Sequence, residues 1–404
     1  MKIVPQRAAG GSGILASIAS ASAVVVGVVS QPKKIDLHGW SAGLRVDQLL
    51  AGDGASGEVL TMAWEELSKS RPVRFVDGER VLVVLSPLPT QSLWRKRFAD
   101  APDPRKVRVV AAGGDAFLVA PDGATLNTLE HYLAMAADAR RGAPGEARLA
   151  ELVFLGHPAV AAEALEQLEG RTTALGIDAV ATLLKTARDP HHETSLRARA
   201  LKLAARQDSP MVRETATALS EPGSALRAPA YRVLAGLPGA LPPEKASALL
   251  TAPEPELRIV GIETIADPGA RERLLGLLRE DKDASVRLAA GKATLSRSGA
   301  SSITDVLVLL DDPDAPVRNG IADAIGSFGS AAVEPLRTVV DTGSERAALA
   351  AVLGLARAGK DGGAALVAIT HLHPNEAVRT FAKLAVGRGI GHSHEPEEPG
   401  HAAK

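Results

Sequence analysis

The sequence predicts a mainly α-helical chain, an α-solenoid in which helical hairpins stack as a right-handed superhelix, preceded by a small β-rich domain. Three observations carry that expectation. The phrase "DASVRLAAGKATL" (283–295) is followed at an interval of 31 residues by "DAPVRNGIADAIG" (314–326), with Asp, Val and Arg in the same places. An interval of that size is the signature of stacked helical units. Seven of the eleven aromatic residues, Trp40, Trp64 and Trp94 among them, precede residue 150. In the same stretch, short Val-rich runs separated by Gly, Pro and Asp read as strands and turns.

Totals narrow the function classes. The chain has 404 residues, enough to bury a large core without metals or disulfides. It contains no cysteine, which removes disulfides, thiolate metal sites and cysteine nucleophiles. Lys and Arg number 46 against 47 Asp and Glu, so no global field draws in a polyanion, and nucleic acid is not an expected partner.

Residues 1–32 come first. Lys2 and Arg7 precede the uncharged stretch Gly13–Ser30, "GILASIASASAVVVGVVS", and "QPKK" follows. The order of charge and then apolar residues is that of a bacterial secretory signal, with small residues before Gln31 suited to cleavage. Left uncut, the stretch would serve as a membrane tether at the short end of the spanning range. A periplasmic or otherwise exported protein is the expectation.

Residues 33–122 hold "GEVLTMAW", "RVLVVLSPL", "KVRVVAA" and "AFLVAP", the strands of a small antiparallel barrel or sandwich. Residues 123–148 switch to helical spacing, with Leu126, Leu129, Leu133 and Ala136 three to four apart. Residues 149–390 carry the repeats. An arginine at a helix start recurs at Arg197, Arg227, Arg258, Arg287, Arg318, Arg346 and Arg379, at intervals of 30, 31, 29, 31, 28 and 33 residues. An apolar residue precedes each except Arg346. Second helices lie between them, as in "ITDVLVLLDD", "AAVEPLRTVV" and "GGAALVAITHL". One such hairpin cannot bury its own apolar face, so neighbours must stack. Asp283 and Asp314 are placed to cap the helices they precede. Residues 391–404, rich in His, Glu, Gly and Pro, are expected to be disordered.

"DASVRLAAGKATL" and "DAPVRNGIADAIGSFG" resemble HEAT repeats of the short bacterial kind also called HEAT-like lyase repeats. The resemblance covers about residues 150–390 and weakens at "HPAVAAEALEQL", where Ala161 stands in place of the arginine. It implies that the Asp and Arg of each copy form an internal ladder, the arginine reaching a neighbouring turn. The alternative, a basic stripe for phosphate built from these arginines and Arg213, fits poorly with the acids beside them. Stacked hairpins offer an extended curved surface, so binding of a protein partner through many weak contacts is expected. The resemblance also implies the handling of bilin chromophores, which some proteins with these repeats attach or remove.

Chemistry-bearing motifs are sparse. Gly39, Ser41 and Gly43 have the spacing of a nucleophile elbow, but no strands precede Ser41 to build the sheet such an elbow needs, so a turn or strand residue is expected. His371 and His373 in "HLH", and His392, His394 and His401 in the tail, are metal-capable types without a fixed geometry. "DPHHETS", with His191 and His192, reads as an inter-helix turn. "LWRKRF" (93–98) offers a basic centre between aromatic ends, suited to an acidic partner or lipid head groups, or to a loop with its aromatics tucked inward. Phosphate-binding loop, dinucleotide, zinc-protease and haem-attachment motifs are missing. The expectation is a non-enzymatic scaffold of the cell envelope that binds protein and uses no cofactor.

Overall fold

The computed structural model describes residues 14–18, 21–65, 75–89, 93–111, 116–138, 145–265 and 270–389. The protein is mainly helical with a small β-domain near its N-terminus. It divides into two compact units, residues 1–233 and 234–404.

The first unit opens with a short helix, α1 (Ile14–Ile18), and six strands: β1 (Ala23–Lys34), β2 (Gly39–Gly52), β3 (Val59–Glu65), β4 (Arg80–Pro87), β5 (Val107–Val110) and β6 (Phe117–Val119). Their order is β1-β2-β3-β5-β4, and β4 pairs back onto β1, which closes a five-stranded barrel. β3 and β5 run parallel, the other pairs antiparallel, and β6 extends the β4 edge beyond β5. Closure leaves the barrel strands without a free edge for another chain to pair with. Val25, Leu44, Met62, Trp64, Val83 and Leu85 fill the interior. Trp64 stacks on Trp40 at 6.2 Å and meets the ring of Phe75 edge-on at 4.8 Å.

Residues 23–32, expected in a leader, form most of β1. The physical reason they resemble one lies in their burial: Val25 and Val29 face the barrel interior, while Val24 and Val26 are equally buried without belonging to that interior cluster. A strand covered on both faces is apolar at every position, and periodicity does not separate it from a leader. Gly27 lies so close to β2 that a Cβ there would sit 2.4 Å from the Arg45 carbonyl oxygen. Gln31, at the expected cleavage point, occupies the irregularity between Ser30 and Lys33 with φ of 48°, its N–H donating to Asp77. Among the described residues no helix is long and apolar enough to cross a membrane.

A short helix, α2 (Leu93–Arg97), lies between β4 and β5, and α3 (Gly123–Asp138) follows the barrel, packing on β2. Then come α4 (Glu146–Leu155), α5 (Pro158–Glu169), α6 (Ile177–Arg188), α7 (Thr194–Ala204), α8 (Pro210–Leu219) and α9 (Arg227–Gly236), within which the two units divide. Here α4 packs on α5 and α6, and α6 on α7. The backbone N–H of Leu15 donates to Glu163 of α5 at 3.0 Å, which ties α1 into this layer.

The second unit holds α10 (Pro243–Leu249), α11 (Pro255–Thr264), α12 (Ala270–Glu280), α13 (Ala284–Ser298), α14 (Ile303–Val306), α15 (Ala315–Gly326), α16 (Ser330–Thr342), α17 (Glu345–Arg357), α18 (Lys360–Leu372) and α19 (Glu376–Gly389). α11, α13, α15, α17 and α19 lie side by side in one row, and α10, α12, α16 and α18 pack against them as a second. The stretch "ITDVLVLLDD" is less regular than expected: α14 is a single turn that passes into a 3₁₀ segment, Leu307–Asp311. Val286, Val317 and Val378, the apolar partners of the repeat arginines, are buried between the rows. Small residues allow close approach; a Cβ on Gly326 of α15 would meet the Gly354 carbonyl oxygen of α17 at 2.4 Å.

Candidate interaction surface

The repeat arginines sit in the first turn of their helices, where the preceding loop leaves carbonyl groups without intrahelical partners. Four of them make the same local contact. Nη1 of Arg258 donates to the carbonyl oxygens of Ala252 and Pro253, that of Arg287 to Asp281 and Lys282, that of Arg318 to Asp312 and Pro313, and that of Arg379 to His373 and Pro374. Each arginine thus reaches back six and five residues. A guanidinium suits the task because its donors fan out in a fixed plane. In the first unit the pattern is looser: Nε of Arg197 donates to the Ala187 carbonyl at the end of α6, and Nε of Arg227 to that of Ser220 after α8.

Two of these arginines also reach forward. Arg258 forms a two-point contact with Asp281 at 2.8 and 2.7 Å, and Arg287 does the same with Asp312 at 2.7 and 2.8 Å. Asp312 lies almost wholly inside, its side chain 3% exposed. Burial would push its carboxyl up, but the Arg287 guanidinium and the Asp314 N–H together hold it below the ordinary value. Asp312 in turn raises the pKa of Arg287. Arg346, which lacks an apolar partner in sequence, reaches Asp311 at 2.9 Å on an exposed surface.

Asp283 caps α13, accepting from the N–H groups of Ser285 and Val286. Asp314 does not cap α15, contrary to expectation. Pro316 occupies the second position of that helix and has no N–H to donate, and the Val317 N–H at the third position bonds the Asp314 carbonyl oxygen at 3.1 Å. The Asp314 carboxylate accepts from Arg287 Nη2 at 2.8 Å instead. The acids that sequence reasoning missed are Asp281 and Asp312, each two residues before a capping position and each accepting the N–H of Asp283 or Asp314. The shared spelling D-x-D-A-x-V-R in 281–287 and 312–318 is the signal that marks them. In the last repeat, His373 and Asn375 take the places of the two acids. His373 Nδ1 accepts from the Asn375 N–H, and Asn375 Oδ1 caps α19 through Ala377.

Other motifs resolve as follows. Ser41 lies inside β2, 2% exposed and opposite Ala63 on β3, in a regular strand and not in an elbow. The second ring nitrogen of His373 faces the Val340 carbonyl at 3.0 Å, so the "HLH" pair is not poised around a common point. His191 hydrogen-bonds Asp189 in its own turn, and His192 packs edge-on against Phe154. The tail residues His392, His394 and His401 lie outside the described residues. Trp94 of "LWRKRF" is buried, and Arg97 lies over its ring at 4.5 Å.

A recess lies on the α15–α17–α19 row. This groove, of about 330 Å³, is lined by Leu349, Leu353 and Phe381 together with Arg318, Asn319, Glu345 and Arg346. The three apolar residues are only partly buried, although they adjoin the core. A second recess, about 580 Å³, lies among the loops at Thr251–Pro253 and Glu280–Asp283, but its Arg258 is committed to Asp281.

The first unit holds a small closed β-barrel followed by helices, and the second holds packed helices with a groove lined by α15, α17 and α19. No family model matches this chain, and no curated protein matches its sequence.

Proposed function

We propose that the protein is a non-enzymatic adaptor whose hairpins form a continuous HEAT-like α-solenoid and whose α15–α17–α19 face binds a protein partner. The groove on that face carries the reading: a lining of apolar Leu349, Leu353 and Phe381 together with charged Arg318, Glu345 and Arg346 has the composition of a protein-binding patch. The repeat arginines support it indirectly. Arg258, Arg287, Arg318 and Arg379 each bond carbonyls of the loop before their own helix, which engages donors that a phosphate stripe would need and favours a bracing role. Export through a cleaved leader forms no part of this proposal, because cutting after Ser30 would remove most of β1.

The test is affinity purification from the source cells with wild type, Leu353→Asp in the groove and Thr338→Asp on exposed α16. The adaptor reading expects a partner that co-purifies with wild type and Thr338→Asp and is lost with Leu353→Asp. Retention of the same partner by all three would place its site elsewhere, and no partner with wild type would remove the reading.

A further inference from the structure

We infer that one end of the β-barrel, built from the Lys34–Gly39 turn and α2, docks on an anionic lipid surface. This inference stands apart from the groove on α15–α17–α19. At this end Arg97 acts as a clasp: its Nε donates to Asp36 Oδ2 at 2.5 Å, and its Nη1 to Glu65 Oε1 at 2.9 Å. Asp36 also accepts from the N–H groups of His38 and Gly39, so the turn is closed on itself and held beside α2. Both carboxylates at the junction are therefore spoken for by Arg97 and the backbone.

The clasp leaves an unusual surface outside it. Leu37 at the tip of the turn is 75% exposed, and Leu93 at the start of α2 is 64% exposed. Close to them in sequence Lys33, Lys34, Arg95 and Lys96 are exposed, and among the described residues no carboxylate lies within ion-pair distance of these four. Lys34 lies over the ring of Trp40 at 5.9 Å. Asp100, in the turn after α2, is an exposed acid nearby in sequence.

Two large exposed apolar side chains, on a turn and a helix linked by Arg97 and each neighboured in sequence by exposed cations, match the boundary between headgroups and acyl chains. Cations concentrate the protein at an anionic leaflet, each multiplying partition by about fivefold, and the leucines then leave water. A nucleic acid would satisfy the cations and leave both leucines in water, so a lipid surface is the occupant the chemistry favours. This is peripheral docking, which needs no spanning helix.

The test is co-sedimentation of the full chain with phosphatidylcholine vesicles, with and without phosphatidylglycerol, at low and high salt. The variants are Arg95→Glu/Lys96→Glu and Leu37→Ser/Leu93→Ser, all at exposed positions, with circular-dichroism melts to verify that each is folded. The inference expects binding only to phosphatidylglycerol vesicles, weakened by salt. It expects a loss of about twentyfold or more for the charge-reversed pair and a clear loss for the serine pair. Absence of vesicle binding, equal binding to neutral vesicles, or wild-type binding by either folded variant would overturn it. So would binding of single-stranded DNA that matches vesicle binding and ignores the leucine substitutions.

Discussion

At the scale of single residues, burial decides which of the many ion pairs matter. Asp312 and Arg287 are 3% and 10% exposed, whereas Asp311 and Arg346 are each about half exposed. Removing one partner of a buried pair leaves an uncompensated charge, so Asp312→Asn should cost about 3 kcal/mol. Arg346→Ala should cost less than about 1 kcal/mol, and denaturant titration distinguishes the two. The sign with pH follows from the lowered Asp312 carboxyl. Its folded pKa lies below the ordinary 3.8, so its contribution is complete above that value and is lost as pH falls through the folded pKa. The stability gap between wild type and Asp312→Asn should be constant near neutral pH and close in acid below 3.8; a gap that widens there would contradict the assignment. Asp283 was legible as a cap because Ser285 and Val286 supply donors where a cap needs them. Asp314 misled because Pro316 removes one of the two donors a cap would use, the Val317 N–H bonds the Asp314 carbonyl, and the carboxylate is turned to Arg287, a partner from another repeat.

Among elements, glycine contacts separate structural from incidental positions. A Cβ on Gly326 would collide with the α17 backbone, while one on Gly276 of α12 would meet nothing within 4 Å. Gly326→Ala should therefore lower the melting temperature, and Gly276→Ala should raise stability by about 0.5–1 kcal/mol through a less free unfolded chain. The repeat helices were legible from the spacing of their arginines, since a helix start recurring every 28 to 33 residues is visible without coordinates. β1 was not, because its valines are buried on both sides and lack the alternation of a half-buried strand. Deleting residues 2–30 should leave a chain whose β-domain does not form, seen as loss of Trp64 burial by fluorescence. A truncated chain with native Trp emission would show β1 to be dispensable.

For the molecule as a whole, the absence of cysteine removes thiolate chemistry and disulfides without naming a function. The class of architecture came from period and composition, whereas the groove did not, because Arg318, Leu353 and Phe381 meet only through the packing of three helices far apart in sequence. The acids at 281 and 312 show the same limit from another side: their spelling is visible, but their pairing with Arg258 and Arg287 is set by the stacking of hairpins. Arg318 belongs to both arrangements, lining the groove while bonding the loop before α15, so the apolar Leu353 and not an arginine is the position that separates partner binding from loop bracing. The most direct measurement is site-specific photocrosslinking in the source cells, with the crosslinker at Leu353 in the groove and, separately, at Thr338 on α16. The account predicts a discrete protein adduct from Leu353 and none of that mass from Thr338; no adduct from Leu353, or the same adduct from both, would contradict it.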